Sequence, residues 1–342
     1  MIRTLLFATV FGASAAAAAP QATPDTPATP AAVTELDAIV VTGEVPGPGL
    51  WRVERDGHVL LVLATVSPLP RRIEWNGDEV VAKIAGSGVV LLPPRVDLKA
   101  EGVRFGGVFL LPALLRARNN PGKETLADVL PPPDFARWRA LKARYLGRDR
   151  GVEKRRPLLA AMDLREAALK RHDLSTRDVV GRVVERAARR ADVPLQRPTV
   201  TRVIADAKAA LKSFAGDTLD DVPCFRLTLA QVEHDLGTLA DRANAWSLGD
   251  VAALRALPYT DFAQSCRDAL LGTDLAKAEG LDDLPERVAA AWLADAEAAI
   301  ATHPTSFAVL PLDRVDGPAS WLAPLQARGY AVHPPGEAPS GD

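Results

Sequence analysis

The sequence predicts an α/β fold in which strands near both ends of the chain form one sheet around a large helical middle. Short apolar strand patterns occur between residues 50 and 92 and again after residue 305. Between them, over roughly residues 105–302, apolar residues recur at helical spacing. Because strands bury their apolar faces by joining a sheet, we expect the two ends of the chain to meet in a single sheet.

The first 46 residues have the composition of an export signal followed by a linker. Met1-Ile2-Arg3 is a short basic start, Leu5–Phe11 is apolar, and Ala15–Ala19 supplies the small residues that a signal peptidase prefers. We therefore predict a signal peptide over residues 1–20 and export to the periplasm or the exterior. Residues 21–46, rich in Pro, Thr and Ala, are predicted to be a linker. An uncleaved Ala-rich tail is the alternative.

The predicted folded domain spans residues 47–336 and is followed by a flexible tail at 337–342. No segment reaches the roughly 20 consecutive apolar residues that a membrane helix needs, so the mature chain is predicted to contain no transmembrane segment. The formal net charge is −2, with 41 Lys+Arg against 43 Asp+Glu. No overall positive field therefore favours nucleic acid as a partner.

The strand pattern begins with a predicted hairpin. Leu50–Val53 and His58–Val66 flank Asp56-Gly57, a dipeptide typical of two-residue hairpin turns. Apolar residues on one side of the segment 78–85 then predict a short helix. Val89–Leu92 is predicted to be a short buried strand.

The middle of the chain is predicted to hold several helices. Pro131-Pro132-Pro133 and Asp134 open the first of them. The aromatic and apolar residues that share one face of this helix are Phe135, Trp138, Leu141 and Tyr145. Such a stripe indicates core packing rather than a cofactor site. Further helices are predicted at 153–171, 175–191, 199–213, 226–243 and 284–302.

Residues 137–156 form a strongly basic segment. One interpretation is a solvated helix face. The other is a surface for an anionic envelope polymer or a lipid headgroup.

The end of the chain returns to strands. Ser306–Leu312 is predicted to be a strand, and Trp321–Arg328 fits a helix. Gly329 is predicted to cap that helix before the strand Tyr330–Val332.

The chain contains two cysteines, Cys224 and Cys266. Since an exported protein meets an oxidising environment, we predict that they form a disulfide. Two buried free thiols are the alternative.

Familiar catalytic and cofactor motifs do not occur in the sequence. The five histidines are scattered without the spacing of a zinc motif, and neither a P-loop nor a dinucleotide fingerprint is found. Ser67 follows a predicted strand and could act as a nucleophile, but no histidine lies near it in sequence to activate it. A serine in a turn is the alternative.

Two blocks at the ends of the chain resemble the TraB/GumN family, which includes the TIKI metalloproteases. GPGLWRVERDGHVLLVLATVSPLP is similar to the family's opening hairpin, where Leu-Trp-Lys-Val leads to a strand ending in Gly-Thr-Ile-His. ERVAAAWLADAEAAIATHPTSFAVLPLDRVDGPASWLAPLQARGYAVHPP is similar to the closing helix, the strand with Gly-x-x-His and the terminal Gly-Tyr-x-Val strand. The helix and strand at 78–92 lie where the family has a strand ending in Glu. The resemblance spans about residues 47–335.

The resemblance implies a hydrolytic site in which two His and one Glu hold a divalent metal that activates a water molecule. The corresponding positions in this sequence are Ala64 and Ser67, Pro311 and Arg314, and Leu92 or Pro93. Serine is a poor metal ligand, leucine and proline side chains offer no donor atom, and arginine carries only N–H donors and a positive charge. The resemblance therefore implies a family site that has lost its metal ligands.

The sequence predicts an exported protein of this kind that needs no cofactor and acts by binding or scaffolding. Arg314 is the candidate to bind an anionic group, together with Arg287, which matches a family arginine before the closing helix. The predicted partner is an envelope protein or an anionic ligand. The alternative is a divergent metal-dependent hydrolase or protease with other ligands. A third hypothesis, an adaptor to an outer-membrane receptor, rests on ELDAIVVTG, which resembles the strand-forming box of TonB-dependent receptors.

Overall fold

The computed structural model describes residues 47–101, 110–259 and 262–337. The predicted signal peptide, the predicted linker with its ELDAIVVTG segment, and residues 338–342 of the predicted tail lie outside these ranges. The described strands are β1 (Leu50–Arg55), β2 (His58–Thr65), β3 (Leu69–Pro70), β4 (Val90–Leu91), β5 (Arg95–Ala100), β6 (Leu174–Ser175), β7 (Leu195–Gln196), β8 (Thr199–Ile204), β9 (Thr305–Pro311) and β10 (Ala331–His333).

Most of the described helices lie between β4 and β9, with α1 before β4 and two short helices after β9. They are α1 (Asp78–Ala85), α2 (Leu111–Ala117), α3 (Leu126–Val129), α4 (Pro132–Tyr145), α5 (Pro157–Arg171), α6 (Val179–Arg190), α7 (Ala207–Gly216), α8 (Val222–Ala230), α9 (Leu236–Ser247), α10 (Val251–Ala256), α11 (Phe262–Leu271), α12 (Asp274–Ala278), α13 (Leu284–Thr302), α14 (Leu312–Val315) and α15 (Leu322–Ala327). A π-helical turn, Gln231–Asp235, joins α8 to α9.

Strands from both ends of the chain meet in one mixed sheet, as the sequence predicted. Its strand order is β10-β1-β2-β9-β4-β7. The pairs β2–β9, β9–β4 and β4–β7 are parallel, whereas β1 is antiparallel to both of its neighbours. The predicted α/β class is confirmed, and the C-terminal ends of β2, β9, β4 and β7 lie along the same edge of the sheet.

The predicted hairpin forms between β1 and β2. Asp56 and Gly57 have φ angles of 53° and 80°, the left-handed conformation that a type I′ turn requires at both central residues. Asp tolerates this conformation better than most residues, and Gly adopts it without a steric cost. The turn sets the register, so that Leu50 pairs with Leu63 and Arg55 with His58.

Both faces of the central sheet are covered by helices. Leu60 and Val62 of β2 point to one face and pack with Trp292 of α13 and Leu325 of α15. The alternate residues of the same strand pack on the opposite face with α1, α6 and Trp246 of α9. Burial on both faces explains why β2 and β9 have continuous apolar sequences rather than an alternating pattern.

A separate apolar cluster lies between α4, α5, α8 and α9. Trp138 is completely buried and Leu141 is 8% exposed, while Phe135 and Tyr145 pack partly buried against the same cluster. The predicted stripe is therefore a core stripe.

The structure differs from the sequence prediction at residues 199–213. This segment begins as β8 and becomes helical only at Ala207. β8 pairs in parallel with β5, a strand that the sequence reasoning missed. The sequence TVTRVI is rich in β-branched residues, and that signal favours a strand over a helix.

The predicted disulfide is present. Cys224 of α8 and Cys266 of α11 are bonded, with 4.7 Å between their Cα atoms. The bond links two helices whose buried contacts otherwise form a small cluster with Leu158 and Ala269.

We expect reduction of the Cys224–Cys266 bond to lower the melting temperature by several degrees. Opening a loop of this size removes about 4 kcal/mol on the chain-entropy model. Calorimetry with and without reductant measures the effect, and a Cys224→Ala, Cys266→Ala variant, which reductant cannot affect, is the control. Two thiols that alkylate freely in the native protein would contradict this prediction.

Phe307→Ala should destabilise the fold strongly, because Phe307 is completely buried in the central strand β9. A loss of about 3–5 kcal/mol in the free energy of unfolding is expected for such a truncation. The control is Val81→Ala on α1, where the side chain is 41% exposed, and its effect should stay within about 0.5 kcal/mol. Chemical denaturation compares the two, and similar losses would show that the sheet is not the main source of stability.

Candidate functional site

The two degenerate histidine motifs lie beside each other at the C-terminal edge of the sheet. In the parallel pair β2–β9, Ala64 pairs with Leu310 and Thr65 with Pro311. The chain leaves both strands at this point, into Ser67 on one side and into α14 with Arg314 on the other. Ligand sites in open α/β sheets form outside the carboxyl ends of strands, so a ligand site is expected at this edge.

The end of β2 is held in position by two hydrogen bonds. The indole Nε1 of Trp246 donates to the carbonyl oxygen of Ala64 at 2.7 Å, and Thr65 Oγ1 donates to the carbonyl oxygen of Leu310 at 3.2 Å. Trp246 is buried, so this hydrogen bond lies in the protein interior at the end of β2. The backbone of the site is therefore rigidly placed.

A cavity of about 930 Å³ opens at this edge and is lined by both Ser67 and Arg314. We call it the strand-end cavity. Its other walls come from α9, from α10 and the loop after it, from α11, and from α14 and the turn that follows. Apolar lining residues include Leu254, Leu257 and Leu312. A cavity of this size can accommodate a small organic ligand.

Four arginines of the described chain line the strand-end cavity, and two of them have hydrogen-bond partners within the protein. Arg255 makes two hydrogen bonds to the carboxylate of Asp316, at 2.7 and 3.1 Å, and this bonding raises the pKa of Arg255 above its usual value. Arg242 Nη1 donates to the carbonyl oxygens of Leu254 and Leu257 at the end of α10. Burial lowers the pKa of Arg242 from its usual value.

The other two arginines have donors to spare. Arg314 lies 3.4 Å from Asp313 through its Nε atom and stacks over the Trp321 ring at 5.7 Å. Arg267 of α11 is half-buried in the cavity wall and has no hydrogen-bond or ion-pair partner among the residues that the structure describes. Arg314 and Arg267 are therefore the groups that could receive an anion.

The predicted Glu position does not contribute to the cavity. Leu92 is 5% exposed and packs in the apolar cluster under the sheet. The carbonyl oxygen of Pro93 accepts a hydrogen bond from Arg197 Nη1 at 2.8 Å. Neither residue lines the strand-end cavity.

Arg287, the second candidate for anion binding, also lies outside the strand-end cavity. Its Nη2 donates to the carbonyl oxygen of Gly280 at 2.7 Å and approaches Asp283 at 2.9 Å. These contacts fix the start of α13 against the turn that follows α12. The structure thus assigns Arg287 a local structural role and does not bring it together with Arg314.

The residues that the resemblance aligns with the family's metal ligands do not fit a divalent metal. Ser67 offers one neutral hydroxyl, Arg314 brings a positive charge, and Leu92 is apolar and buried. Across the described ranges, no group of three or more His, Cys, Asp or Glu side chains could hold a metal ion. The cavity carboxylates Asp313 and Asp316 are each paired with an arginine.

Ser67 is exposed at the cavity mouth, but no histidine belongs to the described lining of that cavity. A serine nucleophile needs a neighbouring base to take its proton. The structure therefore offers no visible activation for Ser67.

Four of the nine basic residues in the segment 137–156 form bonds within the protein. Arg137 pairs with Glu233 at 2.6 Å, Lys142 pairs with Glu153 at 2.8 Å, and Arg155 pairs with Asp163. The side chain of Arg156 is 2% exposed and donates to three backbone carbonyl oxygens. Arg139 and Arg144 of α4 are exposed, as the interpretation of a solvated helix face predicts.

Sequence reasoning missed Arg242, Arg255 and Arg267. They come from the helical middle, far in sequence from both strand-end motifs, and nothing local distinguishes them from surface arginines. Only the packing of α9, α10 and α11 against the sheet edge brings them to the cavity.

None of the helices that the structure describes is both long and apolar enough to cross a bilayer.

Comparison with curated proteins and with solved structures found no match. Comparison with family models found one, which covers residues 49–334. That range begins at the opening hairpin and ends at the last strand of the sheet, so it includes both sides of the strand-end cavity. The chain belongs to the TraB/PrgY/gumN family.

Proposed function

We propose that the protein binds a ligand with a carboxylate or phosphate group in the strand-end cavity, and that it acts by binding rather than by metal-dependent hydrolysis. The observation that carries this proposal is the donor set at the sheet edge. Arg267 and Arg314 have N–H groups without a partner among the described residues, and Arg314 brings a positive charge to a position that the resemblance aligns with a metal ligand.

The charge of the cavity supports an anion. Among the residues that the structure describes, its lining includes four arginines and two carboxylates, those of Asp313 and Asp316. Asp316 is neutralised by its two bonds to Arg255, and Asp313 faces Arg314 at 3.4 Å. An incoming anion therefore meets a net positive site. Guanidinium groups bind carboxylate and phosphate oxygens through paired N–H donors, which gives such a site its selectivity.

The apolar walls indicate that the ligand is more than an inorganic ion. Leu254, Leu257 and Leu312 line the same cavity as the arginines. Apolar contact supplies affinity, while a small number of polar groups fixes orientation. An acid with an apolar portion suits this combination better than a highly charged polymer does.

The rival function, a divergent hydrolase, would need other metal ligands in the same cavity. The carboxylates present are Asp313 and Asp316, and recruiting either would break its ion pair with Arg314 or Arg255. Breaking such a pair leaves a guanidinium without its counterion beside the incoming cation, and the two positive charges repel each other. The geometry therefore favours anion binding.

We also propose that the protein is exported. The support is the Cys224–Cys266 disulfide together with the composition of residues 1–20. Disulfides persist in oxidising compartments and are rare in a reducing cytosol. Export agrees with a ligand or partner in the cell envelope.

Inorganic phosphate should raise the melting temperature by a few degrees once its concentration is well above its dissociation constant. At ten times that constant, binding stabilises the folded state by about 1.4 kcal/mol. The variant Arg267→Gln, Arg314→Gln should lose this shift because it removes both available cations. Differential scanning fluorimetry with increasing phosphate measures the effect.

The matched control is Arg186→Gln on α6, an exposed arginine outside the cavity. The control should keep the full phosphate-induced shift. If the control and the cavity variant lose the shift equally, phosphate acts on the protein surface in general and the proposed site is wrong.

Zinc or manganese should leave the melting temperature unchanged, because the family positions carry no metal ligand set. The variant Ser67→His, Arg314→His should still bind metal weakly and hydrolyse little, since Leu92 remains apolar at the third position. Isothermal titration calorimetry of both proteins tests this. A tight one-to-one metal complex in the unchanged protein, with an activity that chelation abolishes, would favour the rival function.

A further inference from the structure

Strands β5 and β8 form an arm beyond the edge of the central sheet. The parallel pair β4–β7 is followed, past Pro93-Pro94 and Pro198, by the parallel pair β5–β8. After β8 the chain enters α7, which packs against α2. We call β5, β8, α2 and α7 the arm. A two-stranded parallel sheet without helices over both faces is unusual, because parallel sheets are normally covered.

Helix α2 presents its leucines to solvent and its alanines to the protein. Leu111, Leu114 and Leu115 lie on one side of the helix and are 53%, 45% and 51% exposed. Ala117, in the last turn of the helix, is 5% exposed. No other helix among the described residues exposes more than one large apolar side chain. A cluster of exposed apolar side chains is typical of a surface that binds a protein or a membrane.

The exposure of α2 does not result from loose attachment. The buried guanidinium of Arg156 donates to the carbonyl oxygen of Ala117 at 3.0 Å and to that of Asp217 at 2.9 Å. It also donates to the carbonyl oxygen of Phe214 and stacks over the Phe214 ring at 4.8 Å. One side chain thus joins the ends of α2 and α7 to the body of the protein and fixes the leucines facing outward.

Exposed basic side chains lie on α2, directly after it, and on α7, the helix that packs against it. They are Arg116, Arg118, Lys208 and Lys212. All four are exposed and have no ion-pair partner among the described residues. The carboxylate of Asp206, the acidic residue that begins α7, accepts a hydrogen bond from the Ala209 backbone N–H. Exposed leucines with unpaired basic residues on the same pair of helices match an anionic lipid surface. On such a surface leucines enter the interface and basic groups reach the headgroups.

We propose that the arm docks on an anionic lipid bilayer, with Leu111, Leu114 and Leu115 of α2 entering the interfacial region and the neighbouring basic residues contacting the headgroups. The partner is the lipid surface itself and not a small ligand, so this interaction is independent of the strand-end cavity. The Arg156 clamp makes the docking element rigid, and binding therefore requires little ordering of the chain.

Vesicle flotation of the purified full-length chain tests the proposal. The protein should float with vesicles of phosphatidylcholine mixed with phosphatidylglycerol, and binding should weaken as salt is added. Leu114→Ser with Leu115→Ser should lower the lipid partition coefficient at least about tenfold, because two exposed leucines no longer enter the interface. Arg116→Gln with Arg118→Gln should reduce binding to the anionic vesicles by a similar factor.

Controls separate the arm from the rest of the chain. Met162→Ser on α5 replaces an apolar side chain that is 50% exposed outside the arm, and it should float like the unchanged protein. Residues 1–46 are identical in all these proteins, so differences between them report on the arm. All these substitutions are at exposed positions, and equal melting temperatures confirm intact folding.

Three results would overturn the proposal. The first is no flotation with anionic vesicles, and the second is flotation that the leucine variant leaves unchanged. The third is a dimer of the unchanged protein in light scattering that Leu114→Ser with Leu115→Ser dissociates, without any lipid binding. That result would assign the leucines of α2 to contact with a second copy of the chain.

Discussion

The parallel pairing of β2 with β9 is the interaction on which the rest of the structure depends. It joins residues 59–65 to residues 305–311, so the chain must close a loop of more than two hundred residues before the pair can form. Closing such a loop costs conformational entropy. The burial of apolar side chains offsets this cost, since Leu60, Leu63, Phe307 and Leu310 are all completely buried. Once β2 and β9 are paired, helices cover both faces and the strand ends create one edge. The helical middle supplies the walls around that edge.

The site at this edge shows how one backbone can serve different chemistry. The parallel strands bring the residues after β2 and after β9 together whatever their side chains are. With two imidazoles and a carboxylate, such an edge can hold a metal. With Ser67, Arg314 and a buried Leu92 it becomes a cationic cavity. The hydrogen bond from Trp246 to Ala64 holds the backbone and depends on none of these side chains. The fold therefore determines which residues meet at this edge, and their side chains decide its chemistry.

Sequence reasoning succeeded where the signal was local. Asp56-Gly57 predicted the hairpin because a type I′ turn needs left-handed residues at both positions, and the boundaries predicted for α13 match the structure. The α/β class and the single sheet formed by both ends of the chain were also predicted, from the strand patterns on either side of the helical middle. Sequence reasoning failed where a strand pairs with another strand that is distant in sequence. β8 lies a hundred residues from β5 in sequence, and its helix-compatible continuation into α7 concealed the strand. Arg287 matched a motif by position but bonds to Gly280, a contact that sequence does not encode locally.

The role of each arginine follows from whether its donors are already satisfied. Arg156 is buried and donates from Nε, Nη1 and Nη2 to three carbonyl oxygens, which makes it a structural clamp. Arg255 gives two bonds to Asp316, and Arg242 caps the end of α10. Because a guanidinium always carries its charge and offers up to five N–H groups, only an arginine with donors left over can recruit a new anion. Arg267 and Arg314 meet that condition in the cavity, as Arg116 and Arg118 do on the arm. The same residue type therefore acts as a clamp in Arg156 and as a cap in Arg242, according to the acceptors that the fold places around it.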